Sequence, residues 1–80
     1  MPIEVLGGLD QIYLDAIEIV SDITARPLIA REVAMLLQAM GHKDVTGRRA
    51  GLIMAGLRAM GYVKGEPLPA NKSTFLWSAA

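Results

Sequence analysis

The sequence predicts one small α+β domain, mostly α: three helices and then a C-terminal β-hairpin. Three observations predict it. Apolar residues recur at helical spacing in three separate stretches. Gly41 and Gly61 stand just past the second and third of these, where a helix C′ residue turns left-handed. After Gly61 the pattern changes: aromatic and β-branched residues flank a loop rich in Gly, Pro and Asn, as a hairpin requires. The 80 residues make a single domain spanning 1–80, with a small core.

Residues 1–8 read as an extended N-terminal arm, punctuated by Gly7-Gly8. The first helix runs from Leu9 to about Ile23, with Leu9, Ile12, Tyr13, Ala16, Ile17, Val20 and Ile23 on one broad face. Asp15, Glu18 and Asp22 fall on the other side and are expected to form a solvated outer face. Pro27 closes this segment, because it lacks an N–H and biases Arg26 toward extended geometry. Leu28 and Ile29 are expected to pair briefly as a strand. The second helix spans Ala30 to Met40, with Ala30, Val33, Ala34 and Leu37 inward and Arg31, Met35 and Ala39 outward.

The third helix, 46–60, organises the rest. Thr46 is a suitable N-cap, since its hydroxyl accepts from a free N–H of the first turn. Arg49, Ile53, Gly56, Leu57 and Met60 share one side; Arg48, Gly51, Ala55, Arg58 and Ala59 share the other. Ile53, Leu57 and Met60 are therefore expected to pack inward, leaving arginines among very small side chains outside. Residues 62–78 form the hairpin, with strands at Tyr62-Val63-Lys64 and Ser73-Thr74-Phe75-Leu76-Trp77. A hairpin alone is not stable in water, so it must lean on the helices through Tyr62, Phe75 or Trp77.

Charge is balanced overall and divided along the chain. Residues 1–35 carry six carboxylates and two arginines; residues 36–80 carry six cations and two carboxylates. A basic second half presents a local positive field despite zero net charge. The apolar fraction of 52% is high for so short a chain, which points to apolar surface left for a protein partner or a second copy.

Three helices, a short Gly-containing connection between the second and third, and a two-stranded hairpin resemble the winged helix-turn-helix family. The residues carrying the likeness are Ile29-Ala30-Arg31-Glu32-Val33-Ala34-Met35-Leu36-Leu37, then Gly56-Leu57-Arg58-Ala59-Met60-Gly61-Tyr62-Val63-Lys64, then Ser73-Thr74-Phe75-Leu76-Trp77. The likeness covers about residues 9–78 and is closest to small winged helices of phage and plasmid replication or regulatory proteins. It implies a transcriptional regulator or replication-associated protein that binds double-stranded DNA, with the third helix in the major groove and the wing on the backbone. Many members place Asn, Gln or Ser on the outward face of that helix. Here Gly51, Ala55 and Ala59 stand there, and Arg48 and Arg58 are nearly its whole hydrogen-bonding inventory.

The DNA-binding candidates are Lys43, Thr46, Arg48, Arg49, Arg58, Lys64 and Lys72. Arg48 and Arg49 sit in the first turn of the third helix, where free N–H groups and the dipole also favour an anion. Lys64 and Lys72 flank the wing loop, and His42 reads as an ordinary surface histidine. An alternative use of the same helix is a protein interface, for an adaptor or an inhibitor of a nucleic-acid machine, through Gly51, Leu52, Ala55 and Ala59. Gly47, Gly51, Ala55 and Ala59 recur every four residues, a spacing that allows close helix approach.

The remaining classes are disfavoured. There is no Cys and one His, so neither a disulfide nor a Cys/His zinc site is expected, and no metal or cofactor is called for. No serine lies in a nucleophile-elbow context, and Leu57-Arg58 follow Gly56 where a phosphate loop needs Lys and Ser/Thr. The chain is not expected to be an enzyme. No stretch reads as a signal peptide or membrane span, and the lack of Cys fits a cytoplasmic protein.

Overall fold

The structure, a computed structural model, describes residues 10–23 and 26–80. The expected arm at 1–8, Leu9 and the Thr24-Ala25 corner lie outside the described residues. Helix α1 spans Gln11–Glu18 and continues as one wider π-type turn over Ile19–Ile23. Helix α2 spans Ala30–Ala39 and helix α3 spans Gly47–Ala59. Strands β1 (Val63–Pro67) and β2 (Phe75–Ala79) pair antiparallel, with Val63 opposite Ala79 and Pro67 opposite Phe75. This is the α+β, three-helix layout of a winged helix-turn-helix, with the hairpin as the wing.

Helices α2 and α3 end by the same device. At the end of α2, His42 N–H donates to Leu37 C=O (3.0 Å) and Gly41 N–H to Gln38 C=O (3.1 Å). At the end of α3, Tyr62 N–H donates to Leu57 C=O (2.9 Å) and Gly61 N–H to Arg58 C=O (3.0 Å). Both are Schellman motifs, and they need the left-handed φ of 107° at Gly41 and 85° at Gly61. At the other end of α3, Arg49 N–H donates to Thr46 Oγ1 at 3.1 Å, as the capping rule requires. Helix α2 starts differently. Ile29 has no side-chain acceptor, and the Glu32 carboxylate instead reaches back to accept from Ile29 N–H at 3.1 Å.

The core lies where the three helices meet the wing. Ile19, Leu28, Val33, Leu37, Met54 and Leu57 are its largest fully enclosed side chains. Trp77 fastens the wing to it. Leu28 N–H donates to Trp77 C=O (2.9 Å) and Trp77 N–H to Leu28 C=O (2.7 Å), an isolated β-bridge at Leu28 in place of the expected brief strand over Leu28 and Ile29. Strand β2 is thereby paired on both sides, and β1 is an edge. An edge strand tolerates the missing N–H of Pro67 at its end. The Trp77 ring also lies across its cross-strand partner Gly65: a Cβ there would stand 2.3 Å from the ring.

Several local expectations are corrected. Met60 is exposed, not inward, because it is the C-cap of α3 and lies past the last helical turn. Arg49 is exposed as well, while Ala50 and Met54 complete the buried face with Ile53 and Leu57. The wing strands run from Val63 to Pro67 and from Phe75 to Ala79, so each lies further along the chain than its pattern suggested. Tyr62 stays exposed, and Trp77 carries the attachment of the wing.

The larger correction concerns Asp15, expected on the outer face. It is 8% exposed, and its Oδ2 lies 2.6 Å from His42 Nε2. Asp15 sits at the border of the apolar face, one i,i+4 step from both Gln11 and Ile19, so the packing of the inter-helix turn against α1 covers it. His42 is correspondingly no free surface residue; its side chain is 23% exposed. No helix among the described residues is long and apolar enough to cross a membrane.

Candidate nucleic-acid interface

Three elements converge on an open groove of about 640 Å³. One wall is the outward face of α3, with Arg48, Gly51, Leu52, Ala55 and Arg58. The second is the start of α2, with Ile29, Ala30 and Arg31. The third is the wing, with Ser73, Thr74, Phe75 and Trp77. Local sequence sets each wall. Gly47 and Gly51 turn toward α2: a Cβ at Gly47 would lie 3.6 Å from Arg31 Cα, and one at Gly51 would lie 3.6 Å from Ala30 Cβ. An added Cβ at either position would make only an ordinary van der Waals contact, and the crossing puts Arg31 and Arg48 in the lining of one groove. The tip of the wing is shaped by Asn71, whose Oδ1 accepts from Ser73 N–H at 3.2 Å and Ser73 Oγ–H at 2.7 Å. The loop is closed by Thr74 N–H donating to Asn71 C=O at 3.0 Å and by Leu68 N–H donating to Thr74 C=O at 2.8 Å.

The lining of this groove carries three arginines and no carboxylate. Among the described residues, neither Arg31, Arg48, Arg49 nor Arg58 makes an ion pair. Arg58 is held differently, with its guanidinium carbon 5.5 Å from the centroid of the Phe75 ring. Phe75 in turn stacks on Trp77, with centroids 5.4 Å apart and planes 21° apart. This is a cation–π contact, and it seats the Arg58 guanidinium against the wing. Arg48 and Arg49 lie in the first turn of α3, which holds no acidic residue. Cations there oppose the helix dipole by some ~0.3–1 kcal/mol each, and an anion over the turn would reverse that sign.

The expected site residues divide into three groups. Arg48 and Arg58 line the groove. Thr46 caps the same helix and keeps its O–H proton for a further acceptor, while Arg49, Lys43 and Lys72 are exposed around it in the first turn, the inter-helix turn and the wing loop. Lys64 is not brought to the groove. On β1 it pairs with Ser78 of β2 and lines a separate, smaller depression of about 320 Å³ together with Ser21, Arg26 and Pro27. Of the residues weighed for a protein interface, Leu52, Ala55 and Ala59 are exposed, whereas Gly51 is half-covered by α2.

Sequence reasoning missed Arg31, Ser73 and Thr74 as parts of the site. A signal existed for Arg31: it occupies the first turn of the helix preceding α3, the turn that Gly47 of α3 faces. Outside the groove lining, Arg26 is paired with Glu32 and Asp15 with His42. Arg26 bridges to Glu32 at 2.9 Å, raising the Arg26 pKa and, with the Ile29 N–H bond, holding the Glu32 carboxyl below its ordinary value. Burial pushes the Asp15 carboxyl up, but hydrogen bonds to His42 and Gln11, with the neighbouring imidazole, outweigh it and leave it lowered. Among the described residues no cluster of three His, Asp or Glu side chains could hold a metal ion. No family model, characterised protein or solved structure matches the chain.

Proposed function

We propose that the chain is a cytoplasmic winged helix-turn-helix protein that binds double-stranded DNA, acting in transcriptional regulation or replication. Helix α3 enters the major groove and the wing rests on the backbone. One observation carries this reading: Arg31, Arg48 and Arg58 gather in a single groove between α3 and the wing, with no carboxylate in its lining. Like charges brought together without counter-charges repel, so the arrangement is favourable when an anion fills the space. The phosphate backbone is the polyanion whose geometry a protruding helix and an adjacent β-ribbon fit. Thr46 and Thr74 offer neutral donors at the edges of the groove.

About four phosphate contacts give a slope near −3.6 in log K against log[salt]. Fluorescence anisotropy of a labelled duplex, titrated at two salt concentrations, measures it directly. Equal and negligible binding at both concentrations would remove the DNA reading.

A second reading has its own observation. Leu52 on α3 is 67% exposed and Met35 on α2 is 62% exposed, and large apolar side chains so exposed suit a protein partner. Ala55→Arg would block a protein seated on the small-residue face while sparing the fold, and unchanged capture of such a partner would count against this reading.

A further inference from the structure

We propose that α3 reads thymine through its 5-methyl group, with Leu52 and Ala55 as the reading side chains. This inference rests on the DNA reading above and adds what the site selects. At 100° per residue, Arg48, Leu52, Ala55 and Ala59 form one line along the crest of the exposed face, at spacings of four, three and four. All four are exposed, and Leu52 is the most exposed large apolar residue described. Arg58 lies to one side, held at the wing by Phe75. The crest that meets base edges is therefore an arginine followed by three apolar groups.

That composition limits what it can recognise. Asn and Gln read adenine, and Asp and Glu accept from cytosine; the crest has none of these. Past Arg48, no side chain on it can exchange a hydrogen bond with a base. The apolar feature in the major groove is the thymine methyl, which Ala and other apolar groups contact. Leu52 and Ala55 are three residues apart, about 4.5 Å along the helix, against a base-pair rise of about 3.4 Å. Neighbouring or next-neighbouring thymines on one strand are thus within reach of the pair. Arg48, about 6 Å before Leu52, falls one to two steps away, where a guanine presents its O6 and N7 acceptors. A large leucine held in water on a helix otherwise cleared of bulk is accounted for by a methyl group that it covers on binding.

The experiment uses the full chain. A preferred duplex is selected from a random-sequence pool and resynthesised with deoxyuridine in place of every thymidine, which removes the methyl groups and leaves base pairing intact. Affinity is measured on both duplexes by anisotropy, for the native protein and for Leu52→Ala. Because Leu52 is outside the core, the variant folds, and circular dichroism checks this. The native protein is expected to lose about fourfold in affinity for each methyl contacted, the factor that corresponds to one buried CH₂. The thymine-to-uracil ratio of Leu52→Ala is expected to move toward one, with an unchanged salt slope. Equal binding of both duplexes by the native protein overturns methyl reading and leaves the DNA assignment standing. So does a Leu52→Ala variant that keeps the native ratio. Failure to bind any duplex overturns both.

Discussion

Asp15 and Arg48 are both charged and both on helices, yet the fold treats them in opposite ways. Asp15 is enclosed beneath the inter-helix turn, where it bonds His42 and Gln11. Glu32 and Arg26 are likewise joined, across the approach to α2. Around the groove, Arg31, Arg48 and Arg58 stand near one another without a carboxylate. In the two pairs charge is matched locally: Asp15 and His42 join α1 to a turn 27 positions away, and Arg26 and Glu32, six positions apart, join the approach of α2 to its first turn. On the α3–wing side Arg48 and Arg58 have no ion-pair partner among the described residues, and Arg31 has only the field of the neighbouring Glu32. Matched charge joins structural elements, whereas arginines gathered in a concave lining without a carboxylate are what the proposed anionic ligand would need.

The contrast is broken most completely by removing the support of the groove wall. Trp77 is buried, bonds Leu28 on one side, covers Gly65 on the other and stacks on the residue that holds Arg58. Trp77→Ala is expected to cost about 3–5 kcal/mol in urea denaturation, with the wing released from the helices. Next comes Arg31→Ala combined with Arg48→Ala and Arg58→Ala. This variant is expected to lose about two to three units of salt slope and bind duplex DNA a hundredfold or more weakly at low salt, with an unchanged melting temperature. Arg26→Ala, which removes an exposed and paired charge, is the matching control and should leave affinity nearly intact.

The smaller effect sharpens the other side of the comparison. A carboxyl held below its unfolded pKa contributes stability that is complete above the unfolded value and is lost as pH falls through the folded one. Asp15 is such a group. Native stability is therefore expected to fall as pH drops below about 4. Asp15→Asn is expected to be about 1–3 kcal/mol less stable at pH 7 and to show a flatter acid limb, read by denaturation across pH. A variant with the native acid limb would separate Asp15 from the pH dependence.

Much of this was legible in the residues because the deciding signals are local. Thr46, Gly41 and Gly61 each fix a helix end through bonds that reach no further than five residues, and the hairpin follows from two β-forming runs on either side of Asn71, although Gly65 and Pro67, expected as turn residues, lie within β1. Arg48 and Arg58 were legible because helical periodicity alone puts them outside. What escaped depends on distant pairing. Asp15 and His42 are 27 positions apart, and neither pattern nor spacing announces their contact. Arg31 joins the groove through the crossing of α2 and α3. Lys64 leaves it because of strand register, and a period-two pattern leaves the choice of face open until Trp77 is seen to be buried.

The central claim is that the α3–wing groove is where DNA binds. The most direct test is a map of backbone amide shifts in ¹⁵N-labelled protein titrated with duplex DNA. The expected result is that the changes concentrate at Arg31, Arg48, Leu52, Ala55, Arg58 and Thr74 and disappear at high salt. Perturbations centred on Asp15, Glu18 and Asp22, or none at any residue under low salt, would contradict it.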